Sequence, residues 1–120
     1  MREAKTNDFF VELEGVGTFR YGRRTFGDEA QIRVTYLRIT REFGDIDATL
    51  SMYAGIIAAH SVLCVEAPKG WEDIAELDMS GPEGAERKDK VLRLFELLGD
   101  KEATLHKDAE KSGEENRQGA

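Results

Sequence analysis

His60 and Cys64 stand four residues apart, the spacing that puts two metal-binding or catalytic side chains on one face of a helix. A zinc centre needs three or four such ligands. The chain holds only 2 His, the other being His106, and 1 Cys. A Cys–His nucleophile needs a thiolate stabilised by nearby positive charge, whereas Cys64 lies in an apolar run. The pair is read as buried, polar-tolerant side chains facing a core or groove. No metal, cofactor or catalytic residue is expected.

The other candidates carry little more chemistry. Ser51, Ser61, Ser80 and Ser112 have no local nucleophile signature around them. Gly15-Val16-Gly17 lacks the third glycine and the following helix of a nucleotide loop, and reads as a turn. Glu72-Asp73 and the Glu76, Asp78 pair are acidic enough to meet a divalent cation, but the calcium-loop pattern is missing. Arg20, Arg23 and Arg24, beside Phe19, Tyr21 and Phe26, form the one basic-aromatic cluster. Such a cluster can hold single-stranded nucleic acid. Its other reading is a hairpin whose aromatics pack inward while its arginines pair with local acids.

The elements that would position these residues can be read from periodicity. Phe9, Val11 and Leu13 alternate, as do Phe19 and Tyr21 after the glycine turn, which predicts a β-hairpin over about 9–22. Thr25 with Asp28 resembles a capping box and opens a helix over about 27–43, whose Ile32, Tyr36, Ile39 and Phe43 recur at helical spacing. A second helix, over about 47–65, is apolar nearly all round and rich in Ala and Gly, as befits the central helix of a domain. Pro68 and Gly70 are expected to stop it. Residues 71–77 read as a short helix or an acidic loop. Pro82 opens a Leu/Phe-rich helix over about 82–98, with Gly99 as its natural end and a last short helical segment over 101–107. The fold class is thus α+β and predominantly α-helical: an N-terminal hairpin, three to four helices, and a tail. Residues 1–107 form one small domain. Residues 108–120 hold no apolar side chain larger than Ala and are expected to be a disordered tail.

Charge bounds the function. The chain has 17 Lys and Arg against 24 Asp and Glu, a formal net charge of −7. Phosphate binding needs a basic surface, so a general nucleic-acid role is disfavoured. The apolar run of the second helix is broken by Thr49, Ser51, Gly55, His60 and Ser61, which suits a buried helix better than a membrane span. One cysteine fits a reducing compartment, and no apolar signal core follows the N-terminal Met-Arg-Glu-Ala-Lys, so a cytoplasmic protein is expected.

This order of elements, together with Val65-Glu66-Ala67-Pro68-Lys69-Gly70-Trp71, the acidic residues after it and Val91-Leu92-Arg93-Leu94-Phe95-Glu96-Leu97-Leu98, resembles the tail assembly chaperones of long-tailed bacteriophages and prophages. The resemblance covers residues 9–98. It implies a non-enzymatic protein of the host cytoplasm that binds the tape-measure protein, helps recruit the major tail protein, and is absent from the mature virion. Self-association is compatible with it. A helical partner would dock in a groove between the second helix and the Leu/Phe-rich helix, with Trp71 and Phe95 as anchors. Leu98, Arg23 and Arg24 complete the expected partner-binding residues. Two other readings remain: a structural tail or head-completion subunit, and a small nucleic-acid adaptor using Arg20, Arg23 and Arg24.

Overall fold

A computed structural model describes the backbone of residues 2–118 and the side chains of residues 2–108. The hairpin forms as its alternation dictates. Strand β1 (Phe9–Leu13) pairs antiparallel with β2 (Gly17–Tyr21), Phe9 facing Tyr21 and Val11 facing Phe19. The turn needs glycine at its ends, with Gly15 at φ 80° and Gly17 at φ 143°. A side chain at Gly17 would also meet the Pro68 ring, since a Cβ there would lie 2.9 Å from Pro68 Cγ. The inward side chains Phe9, Val11, Leu13, Phe19 and Tyr21 are buried, and Phe19 and Leu13 are almost fully enclosed.

Helix α1 (Phe26–Arg41) starts where expected. Thr25 accepts from the Asp28 N–H at 3.0 Å, and Asp28 accepts from the Thr25 N–H at 2.8 Å. That reciprocal pair satisfies two of the donors a helix start leaves free. Asp47 caps α2 (Ala48–Leu63) by accepting from the Leu50 N–H at 2.8 Å. The small, buried Ala54 and Ala58 of α2 give neighbouring backbones room for close approach. Helix α1 packs chiefly on α2, and the Tyr36 hydroxyl bonds the Ser51 hydroxyl at 2.8 Å.

Two helix ends differ from expectation, each for a non-local reason. The second helix does not run to Val65. It ends at Leu63, and Cys64–Glu66 forms β3 on the free edge of β2, with Cys64 opposite Tyr21 and Glu66 opposite Arg20. Sheet pairing outcompetes one more helical turn, so Cys64 sits on a strand and not mid-helix. Residues 71–77 hold a single 3₁₀ turn, Ile74–Glu76, capped by Asp73. The last helix, α3 (Gly84–Gln118), starts two residues after Pro82 and passes straight through Gly99. A mid-helix glycine costs about 1 kcal/mol relative to Ala. Packing of Leu105 on the core and a two-pronged Arg24–Glu102 ion pair at 3.0 and 3.1 Å favour continuation. The expected tail of 108–120 lies almost wholly outside the described side chains.

The architecture is α+β and mostly helical. Leu94 and Leu98 of α3 close the main core over Phe9, Val11, Leu13, Phe19 and Tyr21, and Leu63 and Cys64 are buried with them. Among the described residues no helix is long and apolar enough to cross a membrane.

Candidate partner-binding groove

Helices α2 and α3 do not pack closely against each other, although α3 lies on β1 and α2 runs directly into β3. The space between them is an open apolar cavity of about 310 Å³. Tyr53, Ile56 and Ile57 of α2 form one wall, and Val91 and Leu92 of α3 form the other. Ile74, Leu77 and Met79 of the connecting segment form the third. The sequence explains this arrangement. Adjacent apolar pairs on a helix point about 100° apart, so Ile56 is buried while Ile57 stays half-exposed toward the gap. On α3, Leu94 and Leu98 take the core, leaving Val91 and Leu92 on the neighbouring flank.

Polar groups are sparse in the groove. Lys88 is the only charged residue among those lining it, with its ammonium 5.8 Å from the centre of the Tyr53 ring. Outside the lining, Glu76, Asp78, Asp89 and Glu96 are exposed on the same segments. The Asp78 carboxyl is held below the usual carboxylate range by hydrogen bonds from the Ser80 hydroxyl and N–H. Phe95, one turn past Val91 and Leu92, is 39% exposed, and Met79 is 45% exposed. The volume falls at the small end of ligand-sized pockets, roughly 300–1,000 Å³, and is large enough for one or two side chains.

The expected anchors divide. Phe95 is not among the lining residues but stands exposed one turn beyond Val91 and Leu92. Trp71 does not line it: the indole packs edge-on against Phe19 at 5.9 Å, and its carbonyl accepts from His60 Nε2 at 3.0 Å. It borders a separate shallow depression with Val16, Glu83 and Lys90. Leu98 is 3% exposed and belongs to the core, so this fold does not offer it to a partner. Tyr53, Ile74, Leu77, Met79 and Lys88 were missed. The usable signal was the apolar residues Ile74, Leu77 and Met79 inside an otherwise acidic segment.

The arginine cluster is committed locally. Arg20 donates to Asp8 at 2.9 Å and to the Lys5 carbonyl at 3.0 Å, and stacks 5.5 Å over Phe10. Arg23 donates to the Asn7 carbonyl at 3.0 Å, and Arg24 is held by Glu102. Asp8, clasped by the Lys5 N–H and by Arg20, is held below its ordinary range.

His60 is buried, and both ring nitrogens are used. The Trp71 carbonyl can only accept, so Nε2 carries the proton, and Nδ1 accepts from the Tyr21 hydroxyl at 2.9 Å. Burial lowers the His60 pKa below the ordinary imidazole value, and the bond to Trp71 works against that shift. Burial pushes the Cys64 thiol up to about 11, the reverse of what a nucleophile requires. Among the described residues no three His, Cys, Asp or Glu side chains gather as a metal site would need. No family model, curated protein or solved structure matches this chain.

Proposed function

We propose that this chain is a tail assembly chaperone of a long-tailed phage: a non-enzymatic protein that shields an apolar helical segment of the tape-measure protein while the major tail protein assembles around it. The observation that carries this reading is the open apolar groove between α2 and α3, which the described residues leave unfilled. The layout shared with that family supports it. An amphipathic helix laid across the gap would insert one or two side chains between Ile57 and Leu92, with Phe95 and Met79 closing over its ends. Each fully buried aliphatic side chain contributes about 1.5–3 kcal/mol. The exposed Glu76, Asp78 and Asp89 on the flanking segments favour a partner helix with basic flanks. The chaperone would act in the host cytoplasm and leave before the virion matures.

Co-expression with the tape-measure protein tests the proposal. The two are expected to co-purify, and Ile57→Glu combined with Leu92→Glu should weaken the complex by more than about a hundredfold, the cost of burying charge in an apolar contact. Arg23→Ala with Arg24→Ala should leave it intact. Failure of the unaltered pair to co-purify would sink the reading. Stoichiometric presence of the chain in purified virions would favour a structural tail subunit instead.

A further inference from the structure

Helix α1 turns Thr35, Tyr36 and Thr40 toward α2, and these are buried or half-buried. Its opposite side carries Phe26, Ala30, Val34 and Leu37, spaced four, four and three residues apart, which is one continuous helical stripe. Phe26 is 89% exposed, Val34 57% and Leu37 48%. A single exposed apolar residue needs no explanation, but an aligned row of three large ones with a small one between them does. The chain's own C-terminal residues cannot cover it, because 108–120 contain nothing apolar larger than Ala.

We infer that this stripe joins two copies of the chain through antiparallel pairing of their α1 helices. The stripe is complementary to itself in that orientation. A two-fold axis near Gln31 and Ile32 sets Phe26 of each copy against Leu37 of the other, and lays the Arg33 stem over the small Ala30. The same register brings Glu29 beside Arg33 of the second copy, and the symmetry repeats that contact. Neither Glu29 nor Arg33 has an ion-pair partner among the described residues, and Arg33 lies 5.4 Å over the Tyr36 ring, on the stripe's flank. Parallel pairing would set Glu29 beside Glu29 and Arg33 beside Arg33, so the charges select the antiparallel form. The groove between α2 and α3 is lined by no α1 residue, so the pairing leaves it open in both copies. The inference does not depend on what that groove binds.

Sedimentation velocity of the full chain over a concentration series is the test. A concentration-dependent shift from monomer to dimer is expected. Phe26→Glu and Leu37→Glu should each raise the dissociation constant by more than about tenfold, with circular dichroism unchanged because both residues are exposed in the monomer. Glu29→Arg should weaken the dimer, and Glu29→Arg with Arg33→Glu should restore it. A chain that stays monomeric at every attainable concentration overturns the proposal. So does a dimer indifferent to both apolar variants, a charge swap that fails to restore pairing, or an assembly that grows beyond two copies.

Discussion

Helix α3 meets two different surroundings across its width. Toward the hairpin, Leu94 and Leu98 are 2% and 3% exposed and interlock with Phe9, Val11, Leu13 and Phe19. On the flank toward α2, Val91 and Leu92 look into an open gap, and Phe95 beyond them stays 39% exposed. The residues are apolar on both sides. What differs is whether the rest of the chain supplies a facing surface. Apolar surface that the fold itself closes contributes to stability, while apolar surface left facing a gap is available for association.

That contrast makes a direct prediction. Leu98→Ala should destabilise the chain by about 2–5 kcal/mol, because it removes contacts and leaves a cavity in a packed core. Leu92→Ala, beside space that already exists, should cost no more than about 1 kcal/mol. Urea unfolding of both variants checks it, and equal losses would mean that the two sides do not differ.

A second prediction concerns the tie that holds the groove's connecting segment to the core. In the fold His60 is neutral, whereas in the unfolded chain it protonates near pH 6.5. The unfolded state therefore takes up more protons as the pH falls through that value, and stability declines with it. The contribution is fully present above about pH 7 and is lost at up to about 1.4 kcal/mol per pH unit on acidification, until the lowered folded pKa is reached. His60→Gln should remove this slope between about pH 7 and 5. Tyr21→Phe, which strips Nδ1 of its donor, should cost about 1–3 kcal/mol at neutral pH. Urea midpoints at two pH values separate these effects.

The smallest effect is expected at Gly99, on the exposed side of α3. Its φ is not in the left-handed region, and a Cβ there would meet no atom within 4 Å. Gly99→Ala should therefore stabilise the chain by about 0.5–1 kcal/mol and slow amide exchange over residues 99–106. A loss of stability would indicate that the helix depends on a break at that point.

These regions also differ in how well the sequence announces them. The hairpin was legible because Phe9, Val11, Leu13, Phe19 and Tyr21 alternate, and alternation is a local signal. Thr25 and Asp28 marked the start of α1 for the same reason. The end of α2 was not legible. Cys64, Val65 and Glu66 leave the helix because β2, more than forty residues earlier, offers a free edge. Gly99 misled in the same way, since the Arg24–Glu102 pair joins residues 78 positions apart. The groove was half legible. Its two helices followed from the apolar runs, but its third wall depends on how residues 71–83 fold back, and no periodicity encodes that. Trp71, expected as an anchor of the groove, packs on Phe19 and holds His60.

Helix α2 passes into β3 with no residue between them, Leu63 being followed at once by Cys64. At that junction the Gly22 N–H donates to the Leu63 carbonyl at 2.8 Å. One rim of the groove is therefore bolted to the sheet edge, and tilting it would pull β3 off β2. The third wall, residues 74–79, is tied as well: Ile74 is buried, and Arg87 of α3 donates to the Asp78 carbonyl at 2.8 Å. A side chain entering the cleft would thus meet an anvil on the α2 side and a strapped wall beside it, and the sheet would stay intact.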